Sequence, residues 1–292
     1  MTRKQGIIFI NAYSASYQSR QVERFVSEFK TRGCVVNVMR NDFFPLEVSG
    51  GNLLCNVAAD FCLYLDKDKY VAEMLEKSGV RLFNRASAIA LCDDKMLTHI
   101  ALSDSGIPMP HTLAGLLCYD KTAAVSSAAL DLVEAKLGYP VIVKQSYGSF
   151  GKGVFKADDR ADLERITEKL KLEPHLYQKY IAASHGKDLR VIVTGGRVLG
   201  GILRRSNGDF RSNVGLGGRA EKAEVPENIR RLAVKAADVL GLDYCGMDFL
   251  LDGDAPLVCE VNSNALFDAF EQATGTNVAA AYVEHILAQI NA

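Results

Sequence analysis

The chain has 292 residues, 48% apolar and 24% charged, which excludes disordered and fibrous classes and leaves room for two or three compact units with cores of their own. Its 34 basic and 35 acidic side chains nearly cancel and no Lys/Arg run stands out, so neither nucleic acid nor a membrane is an expected partner. The seven cysteines (Cys34, Cys55, Cys62, Cys92, Cys118, Cys245, Cys259) are an odd set without a C-x-x-C pair, which disfavours disulfide and metal frameworks and predicts reduced, mostly buried thiols.

In chain order, Met1–Gln5 leads into an apolar strand at 6–11, too short for a signal-peptide core or a membrane span, so a cytoplasmic location is expected. A helix over 19–30 stops at Gly33 before a strand at 34–39. The next cycle is an apolar run at 58–65, a helix over 67–77 and a strand at 80–83. Strands alternating with helices predict a parallel, doubly wound sheet in residues 1–84. Asp93 and Asp94 can cap a helix reaching Ser105, which Gly106 ends and Pro108 and Pro110 forbid from continuing.

A second unit, 85–178, then carries a helix over 123–137, strands at 140–144 and 154–156 around a glycine-rich turn, and a helix over 160–171. The third, 179–292, is entered by a strand at 176–181. It shows antiparallel strands at 189–194 and 198–204 around Gly195-Gly196 and a glycine-rich loop at 215–218. A helix from Pro226 to Leu240, two strands about Asp252-Gly253-Asp254 and a closing helix over 278–290 complete it.

Two constellations carry chemistry. The strand Tyr139–Lys144 ends in a lysine beside Ser146-Tyr147-Gly148-Ser149-Phe150-Gly151-Lys152-Gly153, and a cation next to a donor-rich glycine loop suits a polyphosphate. The loop is neither a Walker A motif nor G-x-G-x-x-G, and taken alone it is equally a hairpin turn. In the second, strand period two places Glu260 and Asn262 on one face and a hairpin can bring Asp248 beside them. Three hard oxygen ligands suit Mg²⁺ held with nucleotide phosphates; taken alone they are equally polar residues on a solvated sheet face. No Gly-x-Ser-x-Gly elbow occurs, and the five histidines (His99, His111, His175, His185, His285) lack H-E-x-x-H spacing and read as surface or connector residues.

Lys144 with the glycine loop, Gln178-Lys179-Tyr180-Ile181, Gly186-Lys187-Asp188-Leu189-Arg190, Gly208-Asp209-Phe210-Arg211-Ser212-Asn213 and Asp248…Glu260-Val261-Asn262 resemble, in that order, the motifs of ATP-grasp ligases, most closely the RimK-type α-L-glutamate ligases. The resemblance covers about residues 85–292. It implies an α/β (α+β) ATP-grasp fold behind an N-terminal Rossmann-like domain, and an ADP-forming ligase that makes an amide bond through an acyl phosphate, attaching an amino acid such as glutamate.

The same resemblance implies the site. Lys144 and Lys95 would meet the phosphates, while Gly148, Ser149, Phe150, Gly151 and Gly153 would close over them. Gln178, Lys179, Tyr180 and Ile181 would form the adenine hinge and Asp188 would hold the ribose side. Arg211, Ser212 and Asn213 would reach the polyphosphate, and Asp248, Glu260 and Asn262 would bind two Mg²⁺ or Mn²⁺ ions. Arg204, equally a surface hairpin arginine, is the candidate with Arg211 for steadying the transferred phosphoryl group.

The implied partners are a small-molecule, peptide or carrier-protein carboxylate and an amino-acid amine, with homo-oligomerisation left open. Where the family continues from the metal-site asparagine into a Pro-Gly turn, this chain reads Ser263-Asn264-Ala265-Leu266-Phe267-Asp268, on the acceptor side. The competing readings are an ATP-grasp-like nucleotide-binding module without turnover, and a ligase of the D-alanine–D-alanine or glutathione-synthetase type.

Overall fold

The computed structural model describes residues 5–13, 16–212 and 218–291, so Asn213 and most of the expected 215–218 loop lie outside the described residues. The first elements are β1 (Gly6–Ile10), α1 (Ser16–Thr31), β2 (Val36–Arg40), β3 (Leu46–Ser49), β4 (Asn52–Cys55), β5 (Phe61–Tyr64), α2 (Lys69–Lys77), β6 (Arg81–Phe83), α3 (Ala86–Asp93) and α4 (Lys95–Leu102). Then come β7 (Thr112–Ala114), α5 (Ser127–Leu137), β8 (Val141–Gln145), β9 (Val154–Ala157), α6 (Arg160–Leu170) and β10 (His175–Lys179). The last are β11 (Lys187–Thr194), β12 (Arg197–Arg205), β13 (Arg219–Ala223), α7 (Glu227–Val239), β14 (Tyr244–Asp252), β15 (Ala255–Asn262), α8 (Asp268–Thr274) and α9 (Val278–Asn291). Among the described residues no helix is long and apolar enough to cross a membrane.

Strands β2-β1-β5-β6 form a parallel sheet whose two central strands are buried along their whole length, because helices cover both faces. Alternation sends Ile7, Phe9 and Cys62 toward α2 and α3, and Ile8, Phe61 and Leu63 toward α1. On the α1 face the sheet also meets the far end of the chain: Tyr282, Val283 and Ile286 of α9 pack with Phe25, Phe29 and Phe61 in one core.

Strands β7-β10-β8-β9 form an antiparallel sheet backed by α5 and α6 through Leu130, Val133, Leu163 and Ile166. Strands β13-β12-β11-β14-β15 form the third, antiparallel throughout; Val191, Met247 and Val258 pack against Ile229, Ala233 and Ala236 of α7.

The structure corrects the expected elements at several places. The helix expected from the Asp93-Asp94 cap is α4, where the Asp94 carboxylate accepts from the N–H groups of Met96 (2.8 Å) and Leu97 (3.1 Å), and a further helix, α3, which was not expected, precedes it. The hairpin β3–β4, turning at Gly50 and Gly51 with both φ positive, and the short elements β7, β13 and α8 were not expected. Two of the histidines expected at the surface or in connectors, His99 and His175, are buried. Of the thiols, Cys62, Cys92 and Cys245 are buried; the other four are only partly so, and no disulfide joins any of the seven.

Asn84 joins the first sheet to the third. Its amide nitrogen donates to the carbonyls of Tyr244 and Ser263, both at 2.8 Å, and its oxygen accepts from the N–H groups of Asp243 (2.6 Å) and Tyr244 (2.9 Å). Buried as it is, Asn84→Ala strands four backbone groups at once. Denaturant unfolding of that variant is expected to show a loss of roughly 3 kcal/mol or more, whereas a surface change such as Lys121→Ala stays within about 0.5 kcal/mol.

Candidate active site

A cleft opens between the β8–β10 layer and the third sheet, with a cavity of about 120 Å³. Its back is set by β8 and β10, paired so that Leu176 stands opposite Lys144 and Gln178 opposite Ile142. Lys144, buried, donates to Gln178 Oε1 at 2.7 Å. Gln178 Nε2 in turn donates to Thr112 Oγ1 (2.9 Å) and to His99 Nε2 (3.2 Å). Burial first, and then the Lys144 charge, push the His99 imidazole down to about 4, so it is neutral at neutral pH and its Nε2 is free to accept. The amide of Gln178 is thereby locked in one orientation.

The third sheet supplies a row of charges. Asp188 stands opposite Arg204 across β11 and β12, Arg190 opposite Asp248 across β11 and β14, and Asp248 opposite Glu260 across β14 and β15. Arg204 donates through Nε to Asp188 (2.6 Å) and through Nη2 to Asp248 (2.8 Å), and Arg190 grips Asp248 with two bonds of 2.7 Å. Ser212 donates to Asp188 as well. Burial pushes the Asp248 carboxyl up, but the two guanidinium groups outweigh it and hold the group below the ordinary carboxylate range. Arg204 is therefore no surface hairpin residue: it is 4% exposed and ties two acids together.

The glycine loop forms the roof. Its neck is closed by the Gln145 N–H on the Gly153 carbonyl (2.8 Å), and Gly153 has φ 74°, which glycine adopts without the strain a side chain would bring. Lys95 donates to the Gly148 carbonyl and Arg211 to the Gly151 carbonyl, both at 2.9 Å. Arg211 is held meanwhile by Asp209, at 3.0 and 2.6 Å.

Of the residues singled out in the sequence, Lys95, Lys144, Gly148, Ser149 and Gly151 line the cleft, as do Gln178, Lys179, Tyr180 and Ile181. So do Asp188, Arg204, Arg211, Ser212, Asp248 and Glu260. Phe150, 48% exposed, lies outside the lining, as do Gly153 and Asn262. Sequence reasoning missed Arg190, His99, Thr112 and Cys259. Cys259 reaches the cleft because the β14–β15 register slips between Asp248 and Phe249, and its sulfur lies 3.4 Å from Lys144 Nζ. That slip has no signature in the strand pattern, whereas Arg190 could have been found from its period-two spacing with Asp188.

The acids and the amide fit a divalent cation only when phosphate completes the shell. Glu260 is a third exposed with Lys95 Nζ 3.8 Å away, and Asn262 buries an amide nitrogen without a hydrogen-bond partner among the described residues, an atom interchangeable with its oxygen by a flip. Asp248 already accepts three hydrogen bonds, which leaves about one lone pair. Among the described residues no three His, Cys, Asp or Glu side chains gather tightly enough to hold a metal by themselves.

Residues 92–286 match the model of the RimK-like ATP-grasp domain. The chain belongs to this family. It is 41% identical over 216 residues to N-acetylaspartylglutamate synthase A of Homo sapiens, covering 73% of this chain and 54% of that protein. It is 40% identical over 225 residues to β-citrylglutamate synthase B of Danio rerio, covering 76% and 54%. The chain thus spans about half the length of these relatives. The fold is also that of the ATP-grasp ligase PsnB, solved with a minimal precursor, Mg and ADP: TM-score 0.70 at 21% identity, over 98% of both chains.

For this RimK-like chain the Gln178 lock has a measurable consequence. His99 binds its proton more weakly folded than unfolded, so its burial costs no stability above about pH 6.5 and an increasing amount as pH drops from there toward 4. NMR titration of the His99 ring is expected to show no midpoint above pH 5, and His99→Gln should flatten the stability loss in that window.

Proposed function

We propose that the chain is an ATP-dependent ligase that activates a carboxylate as an acyl phosphate and joins it to an amine, with glutamate as the amine. The observation that carries this is the convergence, on one cleft, of two buried lysines under a glycine roof with a carboxylate row opposite them. An anionic nucleotide is held on the lysine side. A second anion brought to the γ-phosphorus meets strong repulsion, which cations fixed beforehand offset without reorganising.

In this reading Lys144 and Lys95 take phosphate oxygens, Gln178 to Ile181 take the adenine and Asp188 faces the ribose. Arg211, Ser212 and Asn213 reach the polyphosphate. Arg204 has Nε and Nη2 committed to Asp188 and Asp248, which leaves Nη1 for the transferred phosphoryl group. Asp248, Glu260 and Asn262 would hold two Mg²⁺ or Mn²⁺ ions, whose chemistry is to offset charge at the reacting phosphate. The relatives' names point to N-acylated acidic amino acids and tricarboxylates as the carboxylate, with glutamate as amine.

The deciding experiment supplies ATP, Mg²⁺, hydroxylamine and, in turn, N-acetylaspartate, citrate and a wider carboxylate pool. ADP and hydroxamate are expected together, since hydroxylamine traps an acyl phosphate; AMP, or ADP from an accepted carboxylate without hydroxamate or amide, rejects the reading. A nucleotide-binding module would bind ATP and release no ADP.

Metal binding is expected to depend on nucleotide. Arg190 and Arg204 already balance Asp188 and Asp248, so calorimetry should show little heat with Mg²⁺ alone and clear binding once ADP is present. Glu260→Gln should keep the fold and lose most turnover. Wild-type turnover across Mg²⁺ concentrations in that variant would remove the strand-pair site.

A further inference from the structure

Lys67 lies outside both motifs, on the turn that follows β5 in the first sheet, and its ammonium touches the roof of the cleft. Nζ is 3.2 Å from Ser149 Oγ in the glycine loop and 3.2 Å from Asp93 Oδ1 at the end of α3. The backbone beneath it is fixed. Asp66 accepts from the Lys67 N–H (2.7 Å) and from Asn11 Nδ2 (3.0 Å), while the Asp68 carboxylate caps α2 through Tyr70 (2.9 Å) and Val71 (3.2 Å). Beside it, Lys69 Nζ stands 5.8 Å from the ring centre of Tyr147, at the root of the same loop.

The loop is therefore clasped from three directions: Lys67 on Ser149, Lys95 on Gly148 and Arg211 on Gly151. Two of these cations are claimed twice, because under the reading above Lys95 and Arg211 must also meet phosphate. The partners of Lys67, a hydroxyl and the Asp93 carboxylate, make no such demand on it. The cavity of about 120 Å³ beneath the roof is well below the roughly 300–1,000 Å³ of ligand pockets, so a nucleotide enters only if the roof lifts.

We propose that Lys67 is a positioning residue that anchors the glycine loop in its closed place through Ser149, so that the first sheet sets how often the cleft opens. The proposal rests on the cleft being the nucleotide site, but its main readout does not depend on ligase turnover. Lys152, exposed in the same loop, is a trypsin site, and nicking of a transiently open segment tracks the open population when reclosing is fast.

The test follows cleavage after Lys152 by mass spectrometry at low trypsin, with and without the non-hydrolysable analogue AMPPNP. Lys67→Met is expected to nick roughly fivefold faster in both conditions, to weaken AMPPNP about two- to threefold and to raise ATP hydrolysis without acceptor; Lys67→Arg should restore all three. Ser149→Ala should nick as fast as Lys67→Met, and the double variant no faster than either. A Lys67→Met protein that melts like wild type and nicks at the wild-type rate overturns the proposal. So does a loss of nucleotide affinity as large as that of Lys144→Ala, which would make Lys67 a direct phosphate contact.

Discussion

The ionic row on the third sheet is the constraint around which the cleft is arranged. Asp188, Arg190, Arg204 and Asp248 lie on three adjacent strands, three of them buried and Arg190 partly so, and each charge taken singly costs several kcal/mol to bury. The cost is offset because the strand register sets each acid directly opposite a base, so side chains that must stand a few ångströms apart anyway find their counter-charge there. Two acids and two bases cancel. Glu260 on one side and the lysines on the other stand outside this cancelling set, and they are what the cleft offers to a ligand.

That arrangement holds only if β11, β12, β14 and β15 keep their register, and the register is guarded from both faces. On one, Val191, Met247 and Val258 are locked against α7; on the other, Ile192 and Tyr244 share a core with α9 and the first sheet. Asn84 adds directionality, since four hydrogen bonds to one amide tolerate far less sliding than apolar packing does. The first sheet is thus part of the cleft's foundation even though few of its side chains approach the roof.

Much of the site was legible along the chain. Lys144 beside a glycine loop, the Asp188 and Arg211–Ser212 segments, and the Asp248/Glu260 pair, all singled out along the chain, line one cleft. Some elements were less legible: the cap at Asp94 could be read from the chain but α3 before it was not, and β7 and β13 are strands only because neighbouring strands supply their hydrogen bonds. Phe150, expected to shield the phosphates, shows what a local pattern leaves open, because a residue at φ 60° in a turn points where the backbone sends it.

The sequence by itself determined the alternation of strand and helix, the position of the glycine roof and the residue types that could meet a nucleotide, because these follow from short-range periodicity, turn chemistry and charge. Only the tertiary structure decided which charges were already spent. Arg204 read as a hairpin arginine and is buried between two acids; His99 read as a connector and fixes the amide of Gln178; Lys67 carried no motif and holds the roof. Each depends on a partner tens of residues or more away or on another strand. Burial and counter-charge are set by what packs opposite, which no local pattern records.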